Sequence, residues 1–433
     1  MDWKKVERKR TVCPLHRHNH IVCNHIIYRG VSAIRHVIAA KAGEVGESVQ
    51  YDSARLADFS VLNTRGKKAG FDQPFFTLVL ILLGFGVVMV LSASFPRAYY
   101  DPGHVTGGSA TYYFIRQLIF ALLGVGAMLL CAALPMGFYR RYALPFMAFT
   151  LVLLALVPLI GVRANGSRRW LGVGSLTVQP SELAKLAVIL LFSRMIQQRR
   201  GQMRSFRRGI LPFSLILALI VGLLVLEPHF SASIIILAVG AAMLFMGGVP
   251  LGWFLAAIGS AAAAIGVLLV FFPYASSRIM IWRDPFSSPS DEGYQIVQSL
   301  YTIGSGGLGG VGLGGSRQKY LYLPEEHNDF IFSVLCEELG FLGATLVLLL
   351  FSLLILRGFQ IALHQRDCFS FLVTAGLTTL LALQVFLNVA VVTNLLPCTG
   401  ISLPFFSYGG TALILQLAQM GIILSASRDV LEG

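Results

Sequence analysis

The stretch LPEEHNDFIF (residues 323–332) decides how this chain folds. It gathers two glutamates, a histidine and an aspartate, and then runs directly into an apolar segment. A carboxylate at the mouth of a membrane helix is costly unless it has a partner or a chemical task. We therefore interpret Asp329 as a candidate catalytic group at a membrane surface. The alternative is a helix N-cap, a position that aspartate favours.

The composition is that of a membrane protein. Of the 433 residues, 55% are hydrophobic and only 13% are charged, whereas soluble domains carry about 25% charged residues. The net charge of +13 does not indicate nucleic-acid binding, because the lysines and arginines concentrate in short segments between apolar runs. Such a distribution is the topology signal of a multi-span protein.

The apolar runs predict an all-α bundle of ten transmembrane helices, each judged against a need for about 20 residues. The predicted spans are 75–95, 114–134, 144–160, 181–197, 210–226, 231–248, 253–272, 329–356, 371–395 and 409–426. Basic loops mark the cytoplasmic side, which places both termini inside and makes 273–328 a large extracytoplasmic loop between the seventh and eighth helices.

The segments outside the bundle are short or polar. Residues 1–72 are basic and lack sustained periodicity, so they are predicted to form a disordered cytoplasmic tail. Their cysteines and histidines match no standard zinc spacing, and we predict no metal site there. Residues 73–427 form the membrane domain, and 428–433 are a cytoplasmic C-terminus.

The outer loops hold cations that the charge rule does not favour there. They include Arg168 and Arg169 in the loop 161–180, and Arg283 and Lys319 in the large loop. Cations on the unfavoured side suggest an anionic ligand, for which a phosphate-bearing lipid headgroup is the natural candidate. These four residues are therefore candidate substrate-binding residues.

Further candidates stand at helix ends and in glycine-rich loops. Glu182 and Lys185 are three residues apart and share one helix face; we favour a self-neutralising pair that also lines a cavity. The glycine-rich run 304–316 either approaches a ligand with its backbone or is a flexible linker. The loop 396–410, which contains Ser407, has an irregular backbone that survives at membrane depth only against protein or a wet cavity.

Several of these stretches together resemble the SEDS family of polytopic cell-wall proteins. The likeness covers about residues 73–427 and is closer to the FtsW and SpoVE branch than to the RodA branch. The matching stretches are Asn165–Trp170, Gln179–Glu182, the run 304–316, Leu323–Gly340 and Pro404–Gly410.

The resemblance implies a peptidoglycan glycosyltransferase that polymerises lipid II in a bacterial plasma membrane, during division or sporulation. It implies a ten-helix fold, a class B penicillin-binding protein as partner, and further divisome or sporulation proteins. The family's essential aspartate falls on Asp329, its Pro-Ser-Glu glutamate on Glu182 and its helix-borne lysine on Lys185. The chain departs from the family at Glu227 and His229, where many relatives carry Gln-Pro-Asp.

The expected chemistry is a single displacement with inversion. Asp329 would accept the proton of the acceptor sugar's 4-hydroxyl, and cations or a divalent ion, Mg²⁺ or Mn²⁺, would stabilise the departing pyrophosphate. A lipid-precursor transporter and a scaffold that activates a partner synthase are the alternatives. The ionisable groups cluster towards the outer face, which favours surface chemistry over passage.

Overall fold

The computed structural model of the protein describes residues 70–100, 106–164, 167–173, 176–227, 229–259, 282–288 and 293–431. Residues 1–69 of the predicted tail therefore lie outside the described residues. Asp72, which we assigned to the tail, belongs to the membrane domain, because its side chain accepts the Phe75 N–H and caps the first helix.

Long helices dominate the described residues. In chain order they are α1 (Gln73–Tyr99), α2 (Tyr112–Ala133), α3 (Met136–Ile160), α4 (Pro180–Gln198), α5 (Leu211–Leu226), α6 (Phe230–Met246), α7 (Tyr294–Ser305), α8 (Ile331–Leu363), α9 (Cys368–Val392) and α10 (Gly410–Leu431). Residues 251–259 are also helical. Except for α7, each helix falls on a predicted span.

The predicted polytopic helical architecture is confirmed. Seven helices within the described residues are long and apolar enough to cross a membrane. Neither α4 nor α6 is among them: α4 carries three charged side chains within its 19 residues, and α6 has only 17. Helix α5 qualifies because the π-helical turn Phe206–Ile210 extends it to a span of 21 residues, Phe206–Leu226. The number of ten spans stays a prediction, because the predicted span 253–272 continues beyond the described residues.

A small antiparallel sheet follows α3 and departs from the all-helical expectation. Its strands are β1 (Val162–Ala164), β2 (Ser167–Val173) and β3 (Leu176–Val178), in the order β1-β2-β3. Side chains alternate between the two faces of a strand. The sheet therefore separates the neighbouring residues Arg168 and Arg169, a distinction that the sequence-based spans did not make.

The helix α8 is broken at Gly340, whose φ of 66° and ψ of −169° are not helical. The glycine-rich run docks at this break: the amides of Val311 and Gly312 donate to the carbonyls of Glu337 and Glu338, each at 3.0 Å. These two amides therefore serve the fold. They are not available to a ligand, and the part of the run that carries them is not a flexible linker.

The large loop carries a helix of its own. Ser299 of α7 donates to the carbonyl of Val392 at 2.7 Å, and its hydroxyl lies 2.8 Å from that of Ser333. These contacts pack α7 against the start of α8 and the end of α9. The loop is therefore folded onto the same end of the bundle as Asp329.

Candidate functional site

A cavity of about 240 Å³ opens at this end of the bundle. Strand β2, helices α4, α6, α9 and α10, the turn before α8 and the loop before α10 contribute to its wall. Its polar and charged lining residues are Arg169, Gln179, Glu182, Lys185, His229, Ser231, Glu325, Asn328, Asp329, Gln384, Ser402, Ser407, Tyr408 and Gln416.

The backbone around Asp329 is held from two sides. The Asn388 side-chain amide on α9 donates to the Asp329 carbonyl at 2.9 Å and to the Ile401 carbonyl at 2.6 Å. From the loop before α10, the Ser407 hydroxyl donates to the Asn328 carbonyl at 2.7 Å. The turn that carries Asp329 is therefore held by both α9 and the loop before α10.

The Asp329 carboxylate faces the cavity. The N-cap alternative is wrong, because Phe330 occupies that position of α8 and no side chain caps the helix there. A β-carbon on Gly400 would lie 3.0 Å from Asp329 Oδ2, so glycine leaves the room that this carboxylate occupies. Within the described part of the chain, no side chain forms a hydrogen bond or ion pair with it.

The surroundings of Asp329 shift the pKa of its carboxyl towards neutral pH. Burial, with a smaller contribution from Glu325, raises its pKa to about 6, while His327 and Arg169 oppose the shift. A general base is most effective when its pKa lies near the working pH. At neutral pH the carboxylate is largely ionised and more basic than an ordinary aspartate.

Glu182 and Lys185 form the predicted pair inside the cavity wall. Lys185 Nζ lies 2.7 Å from the Glu182 carboxylate, and both side chains are buried. The two opposite charges satisfy each other. The half-buried side chain of Arg169 on β2 brings an additional positive charge to the same wall.

The structure places two predicted binding residues, Arg168 and Arg283, away from the cavity. Arg168 donates to the carbonyls of Pro158 and Leu159, and Arg283 is exposed on the large loop. Their substrate-binding assignments have no support in these positions.

The position of Lys319 also gives no support to its predicted substrate-binding role. It is buried, pairs with Glu338 at 2.8 Å and donates to Ser92 at 3.1 Å. Glu337 is held by the Ser316 hydroxyl and the Arg317 amide. These contacts fasten the large loop to α1 and α8, so Lys319 has a structural position.

Ser407 lines the cavity, but its hydroxyl serves the fold. It accepts the Leu403 N–H at 2.8 Å while donating to Asn328. Both contacts join the loop before α10 to the turn before α8. Ser407 therefore positions the wall next to Asp329.

Sequence reasoning missed the polar residues that transmembrane helices bring to the cavity. Gln384 on α9 and Gln416 on α10 line it, and Asn388 supports it from behind. A signal existed, since polar side chains within apolar spans usually face a polar cavity or another helix.

The turn between α5 and α6 adds a neutral polar edge to the cavity. Glu227 is buried and burial raises its pKa to about 8, with Arg169 opposing the shift. Burial, reinforced by Arg169 and Lys185, lowers the pKa of His229 to about 3. Both groups are therefore mainly uncharged near neutral pH.

Comparisons with known proteins agree with this architecture. Residues 73–431 match the FtsW/RodA/SpoVE family model, described as cell cycle protein. The chain is 40% identical to stage V sporulation protein E of Bacillus subtilis over 366 residues, which cover 84% of this chain and 98% of that one. It is 38% identical to a probable peptidoglycan glycosyltransferase FtsW of Saccharophagus degradans over 384 residues, covering 85% and 97%.

Solved structures resemble it as well. A chain from a peptidoglycan synthase complex that coordinates polymerisation and crosslinking superposes with a TM-score of 0.69 at 30% identity, covering 84% of this chain and 99% of that one. The rod shape determining protein RodA of Thermus thermophilus gives a TM-score of 0.62 at 30% identity, covering 83% and 97%. The chain belongs to the FtsW/RodA/SpoVE family of cell cycle proteins.

Proposed function

We propose that the chain is a peptidoglycan glycosyltransferase that polymerises lipid II at the outer face of the cytoplasmic membrane. The observation that carries this proposal is the cavity in which Asp329, with its raised pKa, faces the charge of Arg169. The names of the curated relatives support the same activity. The names FtsW and SpoVE support a role in division or sporulation.

In the proposed reaction, Asp329 accepts the proton of the acceptor sugar's 4-hydroxyl. The oxygen attacks the anomeric carbon of the donor, the bond from that carbon to the pyrophosphate breaks, and polyprenyl pyrophosphate leaves. A single displacement inverts the anomeric centre. Arg169 and Lys185 are the cavity cations proposed to stabilise the departing charge, and Glu182 holds Lys185 in place.

A divalent cation, Mg²⁺ or Mn²⁺, would add Lewis-acid stabilisation of the pyrophosphate. Within the described residues, no three histidine, cysteine, aspartate or glutamate side chains group as ligands of one metal ion. Magnesium sites often combine one or two carboxylates with substrate phosphates. We therefore propose that Glu325, together with the substrate phosphates, would hold such an ion, which leaves Asp329 as the base.

A class B penicillin-binding protein is the proposed partner, together with division or sporulation proteins. The similarity to a chain from a peptidoglycan synthase complex supports an assembly of this kind. The basic loops support an orientation with both termini in the cytoplasm.

A polymerisation assay tests the proposal. The purified chain, alone and with its partner, is given labelled lipid II, and the products are separated on a gel. The wild type should make glycan polymer and Asp329→Asn should make none. Asp284→Asn is the matched control, because Asp284 is an exposed carboxylate on the outer loop and does not line the cavity.

Other outcomes support the alternatives. Polymer made by Asp329→Asn would refute the assignment of the base. Leaflet exchange of labelled lipid II without any polymer would support a transporter. Polymer that requires the partner and is unaffected by Asp329→Asn would support a scaffold.

A further inference from the structure

The hydrogen-bonding capacity of His229 in the cavity is poorly satisfied. Its ring is more than nine-tenths buried and lines the same cavity as Asp329. Its Nδ1 has no hydrogen-bond partner within the described part of the chain. Its Nε2 has one long contact, 3.5 Å from the Gln179 side-chain nitrogen.

Neither tautomer of the ring resolves this deficit. If Nε2 accepts from Gln179, the proton sits on Nδ1, which is buried without an acceptor. If Nε2 carries the proton, the buried Nδ1 lacks a donor and the long contact to Gln179 loses its acceptor unless the amide turns over. Nδ1 stays unmatched in either tautomer, whereas Nε2, held only by a long contact to another cavity-lining residue, is the nitrogen that can take a ligand group.

The surroundings indicate the chemistry of that ligand. Arg169 and Lys185 lie close enough to disfavour a positive charge on the ring. The nearby carboxyl of Glu227 is fully buried, and neither of its oxygens has a hydrogen-bond partner among the described residues. Arg169 and Lys185 supply the positive charge beside this edge, whereas Gln179 and His229 add no charge of their own.

We propose that Gln179 and His229 form an uncharged subsite that holds a hydroxyl or acetamido group of the lipid-linked sugar. A sugar hydroxyl can donate to His229 Nε2 while accepting from the Gln179 side-chain nitrogen, which replaces the 3.5 Å contact with two hydrogen bonds of ordinary length. The pyrophosphate then lies on the Arg169 side of the cavity. This inference rests on the proposed function and extends it to sugar recognition.

The test measures binding without turnover. The full-length Asp329→Asn chain in lipid nanodiscs is titrated with lipid II and, separately, with polyprenyl diphosphate that carries no sugar. Adding His229→Leu should weaken lipid II binding roughly threefold to tenfold, the value of one net hydrogen bond, and leave the sugar-free ligand unchanged. His229→Gln, whose amide reaches the Nε2 position, should recover most of the lipid II affinity.

Two controls define the comparison. Arg169→Gln should weaken the binding of both ligands, because both carry the pyrophosphate. His364→Leu should change neither, since His364 is exposed at the far end of α8. Thermal unfolding and a monodisperse elution profile show that each variant is folded.

The opposing results are distinct. The sugar subsite is overturned if His229→Leu weakens the binding of both ligands equally, or weakens the binding of neither. If His229→Leu does not fold, His229→Gln takes its place in the test. The sugar subsite is then overturned if His229→Gln does not keep the parent's difference in affinity between lipid II and the sugar-free ligand. A parent chain that binds neither ligand overturns the proposed function itself, and the subsite with it.

Discussion

Asp329, the proposed general base, carries an energetic cost in the folded protein. Its pKa of about 6 lies above the ordinary value of 3.8, so the folded state favours the protonated carboxyl. Ionisation therefore costs stability: the cost is absent below about pH 4, grows as the pH rises through 6, and is complete above it. Catalytic groups often carry such a cost.

Asp329→Asn should be inactive and yet more stable than the wild type at pH 8. The gain should be roughly 1 to 3 kcal/mol, discounted because the carboxylate still reaches water in the cavity. Thermal unfolding at pH 8 and pH 4 checks it, since the gain should vanish at pH 4. If Asp329→Asn and the wild type have equal thermal midpoints at pH 8 as well as at pH 4, the raised pKa is contradicted. Wild-type activity should fall as the pH drops through about 6.

The Glu182–Lys185 pair predicts strong coupling between two substitutions. Lys185→Met leaves a buried carboxylate without its partner and should destabilise the protein by roughly 3 to 5 kcal/mol. The double variant Glu182→Gln with Lys185→Met should lose less unfolding free energy than the two single variants lose in sum. A double-mutant cycle of thermal stabilities measures this difference, and additive losses would show that the 2.7 Å contact carries no coupling.

At the scale of elements, the break in α8 joins the large loop to the bundle. Residues 331–338 before the break are buried, whereas Phe341 and Leu342 after it are exposed. The glycine-rich run fills the space at the break with main-chain hydrogen bonds. The short buried segment sets the direction in which Asp329 enters the cavity.

Gly340→Ala should therefore disrupt both stability and activity. The backbone conformation there is essentially restricted to glycine, and a β-carbon would lie 2.3 Å from the Gly310 nitrogen. We expect a loss of roughly 2 to 4 kcal/mol, measured as a lower thermal midpoint and reduced polymerisation. Gly84→Ala on α1 is the control, because nothing lies within 4 Å of its β-carbon. A similar midpoint for the two variants would refute the role of the break.

At the scale of the whole molecule, two clusters of contacts hold opposite ends of the bundle. At the end away from Asp329, the Asp72 carboxylate pairs with Arg357 at 2.8 Å, and its amide donates to Ser427 at 3.0 Å. At the cavity end, the Lys319–Glu338 pair fastens the loop to α1 and α8. The proposed orientation places the first cluster inside the cell and the second outside.

Labelling of single cysteines tests that orientation. In a background with all six native cysteines replaced by alanine, Ser287→Cys should react with a membrane-impermeant maleimide on intact cells. Gln202→Cys should react only after permeabilisation. Both positions are exposed, so accessibility does not favour either. The reverse pattern would place Asp329 inside the cell and refute an extracytoplasmic reaction.

The sequence determined the membrane class, most helix positions and the central residue of the site. Long apolar runs leave few alternatives, because backbone polar groups in lipid must be satisfied within a helix. Asp329, Arg169 and the Glu182–Lys185 pair carried local signals strong enough to identify them as candidates, and the cavity contains all four.

Only the tertiary structure decided which cations reach the cavity and which polar residues complete it. Strand alternation separates Arg168 from Arg169, and loop docking buries Lys319 against Glu338. His229 and Gln384 stand far apart in sequence from Asp329 and meet it only through helix packing. A linear pattern records residue type and spacing along the chain, whereas these distinctions depend on contacts between distant segments.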